Sequence, residues 1–141
     1  MKEEIQYIVE EFELLSDWQE KYMHIIEMGK ELPEMASSFK SEDNIVRGCQ
    51  SKVWLHASYQ DEKILFEADS DAIITKGLIA LLIRVFSDQR PDDILHMDLT
   101  FLDTIGVSDH LSMTRSNGLR AMIKQMQLYA LAFKTKEGIS S

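Results

Sequence analysis

One cysteine, Cys49, among 141 residues is the scarcest feature of this chain. A single thiol forms no internal disulfide, and it is a poor start for a metal cage, since structural zinc takes four ligands. There are only two prolines and six glycines, so no Pro/Gly-rich linker, repeat or low-complexity block divides the chain. Long apolar runs are also missing. The longest, Ala72–Phe86, is interrupted by Thr75, Lys76 and Arg84 and falls short of the roughly 20 residues a membrane helix needs. Cations are in the minority: 15 Lys and Arg against 24 Asp and Glu leave a net charge of −9. That balance argues against nucleic acid, whose phosphates demand cationic side chains, and against an anionic membrane surface. A protein partner with a basic patch suits it better. Met1-Lys2-Glu3-Glu4-Ile5 is acidic and has no apolar signal core. With one free thiol, this points to the reducing cytoplasm.

What is present is an ordinary globular composition, 45% hydrophobic and 28% charged. The length suits one domain, residues 1–141, with a tail after Lys134 expected to fray. Ile5, Ile8, Val9 and Phe12 recur at helical spacing, with Glu3, Glu4, Glu10 and Glu11 on the other face. Ser16 with Gln19 has the form of a capping box. It opens a second helix that carries Trp18, Tyr22, Ile25 and Ile26 inward, with Gly29 as its C-terminal cap. Pro33–Asp43 reads as loop with a short helical turn. Lys52–Tyr59 and Lys63–Ala68 alternate as strands around a Gln60-Asp61-Glu62 turn, and a third short strand is expected near Asn44–Val46. Asp69-Ser70-Asp71 offers capping side chains to an almost uniformly apolar helix, Ala72–Phe86. Pro91 suits the first position of a short helix, with Asp92-Asp93 behind it. Phe101, Leu102 and Ile105 form another, closed by Gly106. A last helix from about Ser116 buries Leu119, Met122, Ile123, Met126, Ala130 and Phe133. The fold class is therefore α+β, a small antiparallel sheet of about three strands against several helices.

Cys49 admits two readings. Free cysteines are among the most buried residue types and are usually inert. Against that, this one lies at a loop-to-strand junction, follows Gly48, and is flanked by Arg47 and Lys52, cations able to favour the reactive thiolate. The residues alone leave the choice open. His24, His56, His96 and His110 are scattered; a hydrolytic Cys–His dyad would need His56 or His110 folded against Cys49, together with an oxyanion hole. No metal-ligand spacing is visible. The eight methionines lie mainly at helical core positions. Arg115-Ser116-Asn117-Gly118 is either a helix entry capped by Ser116 or Asn117, or an arginine aimed from a helix N-terminus at a thiolate or a partner carboxylate.

Gly48-Cys49-Gln50-Ser51-Lys52-Val53-Trp54-Leu55 resembles the signature of the SufE family, sulfur acceptors that work with cysteine desulfurases. The segments Lys21–Gly29, Leu32-Pro33, Ala68–Ala72, Lys76-Gly77-Leu78, His110-Leu111-Ser112 and Arg115–Leu119 are similar to further stretches of that family in the same order. Together they span residues 16–126. Met113 and Thr114 depart from it, standing where Pro-Ser often precedes the arginine. Gln50-Ser51 fits the SufE branch better than the CsdE branch. The resemblance implies a SufE/IscU-like fold and no cofactor or metal. It implies that Cys49 accepts persulfide sulfur from a SufS-like cysteine desulfurase, stimulates that enzyme, and hands the sulfur to an iron–sulfur scaffold. Arg115, Asp71, Gln50 and His110 are then expected to stabilise the thiolate or bind the partner, Asp71 also by holding the resting loop. Two alternatives remain: a desulfurase activator acting by contact alone, with Cys49 incidental, and an IscU-like cluster scaffold, a role for which one cysteine is too few.

Overall fold

Helix α1 (Lys2–Glu13) opens the computed structural model, which describes residues 2–140. Its Ile8 and Phe12 are fully buried, as the spacing predicts. Glu4 and Glu11 are not mere solvent-facing charges: both accept from Arg84, at 2.8 and 2.7 Å. Helix α2 (Trp18–Lys30) starts one residue later than the Ser16/Gln19 pairing predicts. Asp17 is the N-cap, its Oδ1 accepting from the Glu20 amide at 2.9 Å, while Glu20 Oε2 accepts from the Ser16 amide at 2.7 Å. The motif is a capping box shifted by one position, with aspartate in the serine role.

Gly29 does not cap α2; it is buried inside it. A Cβ there would lie 2.7 Å from the Gly77 amide nitrogen and 2.9 Å from the Gly77 Cα. Gly77 belongs to α3 (Ile73–Phe86) and would itself drive a Cβ into the Ile25 carbonyl. The two glycines let α2 and α3 cross backbone against backbone, with no room for a side chain at either position.

Strands β1 (Val53–Gln60) and β2 (Lys63–Ser70) form the antiparallel hairpin. Asp61 and Glu62 both have positive φ, 53° and 65°, the two-residue turn whose twist matches a hairpin. The register sets Leu55 opposite Ala68, Ala57 opposite Phe66 and Tyr59 opposite Ile64, so the alternating faces coincide as predicted. The third strand contracts to a single bridge, Ile45 to Trp54, beside a Val46 amide to Val53 carbonyl bond of 2.9 Å. The sheet therefore has two strands. Glu42–Asn44 is a 3-10 turn, as is Ser37–Phe39, and this leaves too little extended backbone before the Cys49 loop for a longer pairing.

The core helix α3 buries Ile74, Leu78, Ile79, Leu81, Leu82, Val85 and Phe86, but Ile73 in its first turn is 68% exposed. Nor do Asp69, Ser70 and Asp71 cap it: its N-cap is Ala72, without a side-chain bond. Strand β2 runs through Ser70, which fixes Asp69 and Ser70 in extended backbone, and Ser70 Oγ accepts from the Ala72 amide at 3.2 Å, one residue before the helix. Asp69 is buried and paired with Lys40 at 2.7 Å and Lys76 at 3.3 Å. Helix α4 (Pro91–Leu95) has Pro91 in its first turn, followed by Asp92 and Asp93. Helices α5 (Phe101–Thr104) and α6 (Val107–His110) follow, with Gly106 at φ 86° between them. The last helix, α7 (Met113–Ser140), begins three residues before Ser116. Ser112 starts it, its Oγ accepting from the Arg115 amide at 3.3 Å. Helix α7 includes the stretch after Lys134 that the composition marks as a fraying tail. Its Met122, Ile123, Met126 and Ala130 close the core over α3 and β2.

Candidate functional site

The segment from Arg47 to Lys52 leads from the Ile45 bridge into β1. Gly48 takes φ +94°, a region side chains resist, and a Cβ on it would meet the Ala121 Cβ of α7 at 3.2 Å. The loop thus leans on α7 at its tightest point. Cys49 follows, half-buried, its Sγ–H donating to the Gly118 carbonyl at 3.6 Å. On the far side of the loop, Lys52 is held by its backbone. Its amide donates to Asp71 Oδ1 at 3.0 Å, its carbonyl accepts from the Asp71 amide at 3.2 Å, and Ser70 Oγ donates to that carbonyl at 2.9 Å. The carboxylate that fails to cap α3 instead clasps the exit of the cysteine loop.

Beside the thiol lies a pocket of about 430 Å³. Its floor is the buried surface of Val53, Leu78, Ile79, Leu82 and Met122. One wall is the start of α3 (Ala72, Ile74, Thr75); the other is the start of α7 (Ser112, Thr114, Arg115, Gly118, Leu119). Cys49, Gln50 and Ser51 close the front. Of the residues singled out from the sequence, Cys49, Gln50 and Arg115 line this pocket and Asp71 holds its loop. His110 is not part of it: its ring stacks on Trp18 with centroids 4.6 Å apart. His56 stacks on Phe39 at 3.8 Å. No histidine lines the pocket among the described residues, so the Cys–His dyad has no structural basis.

The electrostatics of the thiol differ from expectation. Burial pushes the Cys49 thiol above its ordinary value. Arg47 points instead toward Glu42, 4.0 Å away and largely exposed. The thiol rests protonated and sheltered against a carbonyl. Sequence reasoning missed this Gly118 contact and the walls from Ala72, Thr75 and Ser112. No local residue signals it: even a Cβ on Gly118 would meet the Cys49 Sγ at an ordinary contact distance of 3.6 Å.

A second hollow, about 530 Å³, is lined by Glu11, His24, Glu27, Glu31 and Arg84 among others. Its central charges are paired: Arg84 bridges Glu4 and Glu11, and His24 Nε2 lies 3.3 Å from Glu11. That arrangement ties α1 to α3. Among the described residues, no group of three or more His, Cys, Asp or Glu could hold a metal ion. Among the same residues, no helix is long and apolar enough to cross a membrane.

Fold and site together define a small α+β domain that carries one sheltered thiol on a short loop beside a preformed pocket. The chain belongs to the SufE family: the family model described as an Fe-S metabolism associated domain matches residues 6–130. An uncharacterized SufE-like protein of Rhizobium meliloti is 41% identical over 125 residues, covering 85% of this chain and 89% of its own. A second, from Rhizobium etli, is 40% identical over 125 residues, covering 85% and 84%. The fold is shared with a solution structure of a hypothetical protein from Thermus thermophilus, at TM-score 0.75 and 18% identity over 98% of this chain and 97% of that one. Family membership supports a sulfur-acceptor role with a cysteine desulfurase.

Proposed function

We propose that Cys49 is the acceptor nucleophile in a sulfur relay. A cysteine desulfurase of the SufS type presents a persulfide on its own cysteine. The Cys49 thiolate attacks the outer sulfur, the S–S bond breaks, and the electron pair returns to the desulfurase thiolate. The product is Cys49–SSH and a regenerated enzyme, by the chemistry of thiol–disulfide exchange. No resolving thiol is required, which fits a chain with a single cysteine. The sulfur then passes to an iron–sulfur scaffold in the cytoplasm, and no bound cofactor takes part.

The observation that carries this reading is the placement of the only thiol against the wall of a preformed, apolar-floored pocket. A protonated thiol is a poor nucleophile, so the resting state is protective. Transfer requires the loop to leave the Gly118 carbonyl, and the Asp71 clasp on Lys52 sets how readily it does so. Arg115 at the opening of the pocket stabilises the thiolate once exposed or meets a partner carboxylate, and Gln50 shares that rim. His110, stacked on Trp18, is left with a part in partner contact only.

The test is mass spectrometry of the protein after incubation with a cysteine desulfurase and cysteine, with turnover measured alongside. A gain of one sulfur on Cys49, absent in Cys49→Ser, is the expected result. Full stimulation of the desulfurase by Cys49→Ser would leave contact-only activation as the function.

A further inference from the structure

The pocket is larger than its shelter role requires. One sulfur atom on Cys49 occupies a small fraction of about 430 Å³, a volume within the roughly 300–1,000 Å³ of small-molecule sites. Its charge is also unlike that of the rest of the chain. The protein carries 24 acidic residues, yet among the described residues no carboxylate lines this pocket, and its one charged side chain is Arg115. Arg115 has no ion-pair partner among the described residues. The walls are the first turns of α3 and of α7, 14 and 28 residues long, so the positive ends of both helices add to the same field. Beneath this rim the floor is apolar.

Resting on the persulfide reading above, we propose that the pocket seats a small carboxylate-bearing thiol and lets it take sulfur directly from Cys49. The carboxylate pairs with Arg115 in a charge-assisted contact, and the short carbon body lies on Leu119, Leu78 and Met122. The thiolate of the small molecule attacks the outer sulfur of Cys49–SSH. The S–S bond breaks, the electron pair goes to Cys49 Sγ, and the small molecule departs as a persulfide. No oxidant or reductant is consumed. The protein thereby serves a second, low-molecular-weight acceptor besides a protein partner.

Two measurements on the full chain test this. In the first, Cys49 is alkylated with iodoacetate and with iodoacetamide, which share a reacting carbon and differ in charge. The iodoacetate-to-iodoacetamide rate ratio cancels changes in the nucleophile itself. It is expected to exceed that of a free cysteine peptide about tenfold, to lose most of that excess in Arg115→Gln, where only the helix ends remain, and to be largely retained in Arg115→Lys. In the second, Cys49–SSH is unloaded by 3-mercaptopropionate, 2-mercaptoethanol or cysteamine, with rates divided by thiolate concentration. The anionic thiol is expected to be fastest and the cationic one slowest, with Arg115→Gln narrowing the spread among the three. A ratio unchanged by Arg115→Gln, or equal corrected rates for the anionic and neutral thiols, overturns the proposal. If Cys49 never gains sulfur, the relay reading fails, while the alkylation ratio still decides whether the pocket selects anions.

Discussion

Replacing Asp71 with alanine is expected to unlatch the cysteine loop without unfolding the protein. The side chain contributes one hydrogen bond, from the Lys52 amide to Oδ1 at 3.0 Å. Bonds to a charged group are worth about 1.5–3 kcal/mol, but this carboxylate is exposed, so water replaces much of what is lost. About 1 kcal/mol is the reasonable figure, and that corresponds to about a fivefold increase in the population of open loop. The remaining grip, Ser70 Oγ on the Lys52 carbonyl and the Asp71 amide on the same atom, stays in place and keeps the effect from being larger. Opening also removes the burial that holds the thiol up, so the two effects push reactivity in one direction.

The assay is the pseudo-first-order rate of Cys49 alkylation by iodoacetamide across pH. Asp71→Ala should react about fivefold faster at neutral pH, with its apparent thiol pKa moved down toward the ordinary cysteine value. Asp71→Asn keeps an oxygen acceptor and should rise less than about twofold. The thermal midpoint should barely move, since the clasp is at the surface. Wild-type alkylation rates in Asp71→Ala across the whole pH range would refute the reasoning, leaving the Gly118 contact or the packing on Ala121 as the latch.

Gly77→Ala forces a Cβ into the Ile25 carbonyl group, whose carbon would lie 2.7 Å away. Because that obstacle is backbone, the cost is about 3 kcal/mol and the expected fall in Tm is about 6–12 °C; a Tm within about 2 °C of wild type would show that α2 and α3 can part without penalty. The raised Cys49 thiol means the folded state binds that proton more tightly than the unfolded chain does. Its stabilising contribution is complete below the unfolded thiol pKa of about 8.5 and is lost as pH rises through the folded value. The stability difference between wild type and Cys49→Ala in urea melts should therefore shrink from pH 7 to pH 10, and a constant difference would contradict it. Asp69 runs the opposite way: burial alone would raise it, but Lys40, the Ser70 amide and Lys76 hold its carboxyl below the usual range. Its contribution is present above about pH 4 and lost as pH falls through the folded value, so Asp69→Asn should flatten the acid limb of the stability profile.

Much of the fold was legible because it follows from periodicity. Two strands and their shared face follow from spacing, the core helix from its nearly unbroken apolarity and the α4 start from Pro91, and the structure agrees with each. Misreadings cluster where a residue's local preference yields to a long-range contact. Gly29 has the look of a helix end, but its absent side chain is needed for Gly77. Asp69 and Asp71 have the look of caps, yet one is claimed by Lys40 and Lys76 and the other by the Lys52 amide. Glu4 and Glu11 follow a solvent-facing pattern, but Arg84 lies within reach. None of these partners is a sequence neighbour, so no window of ten or fifteen residues contains the information.

The site shows the same division more sharply. Sequence proximity makes Arg47 and Lys52 the natural cations for Cys49, and both assignments fail for geometric reasons. Gly48 turns the backbone through positive φ, Arg47 ends near Glu42, and burial acts on the thiol with no cation, Lys52 included, offsetting it. The cation that does share a cavity with Cys49 is Arg115, 66 residues further along by the numbering of the chain. It arrives there because α7 begins at Met113, early enough to place its first turn beside the loop. A thiol raised by burial, with its pocket cation on a different element, is expected to gain reactivity toward a protein partner when the loop moves. The chemistry of Cys49 is therefore governed less by its immediate neighbours than by the contact between its loop and α7, which makes the Gly118 carbonyl and the Asp71 clasp the two points at which its reactivity can be changed.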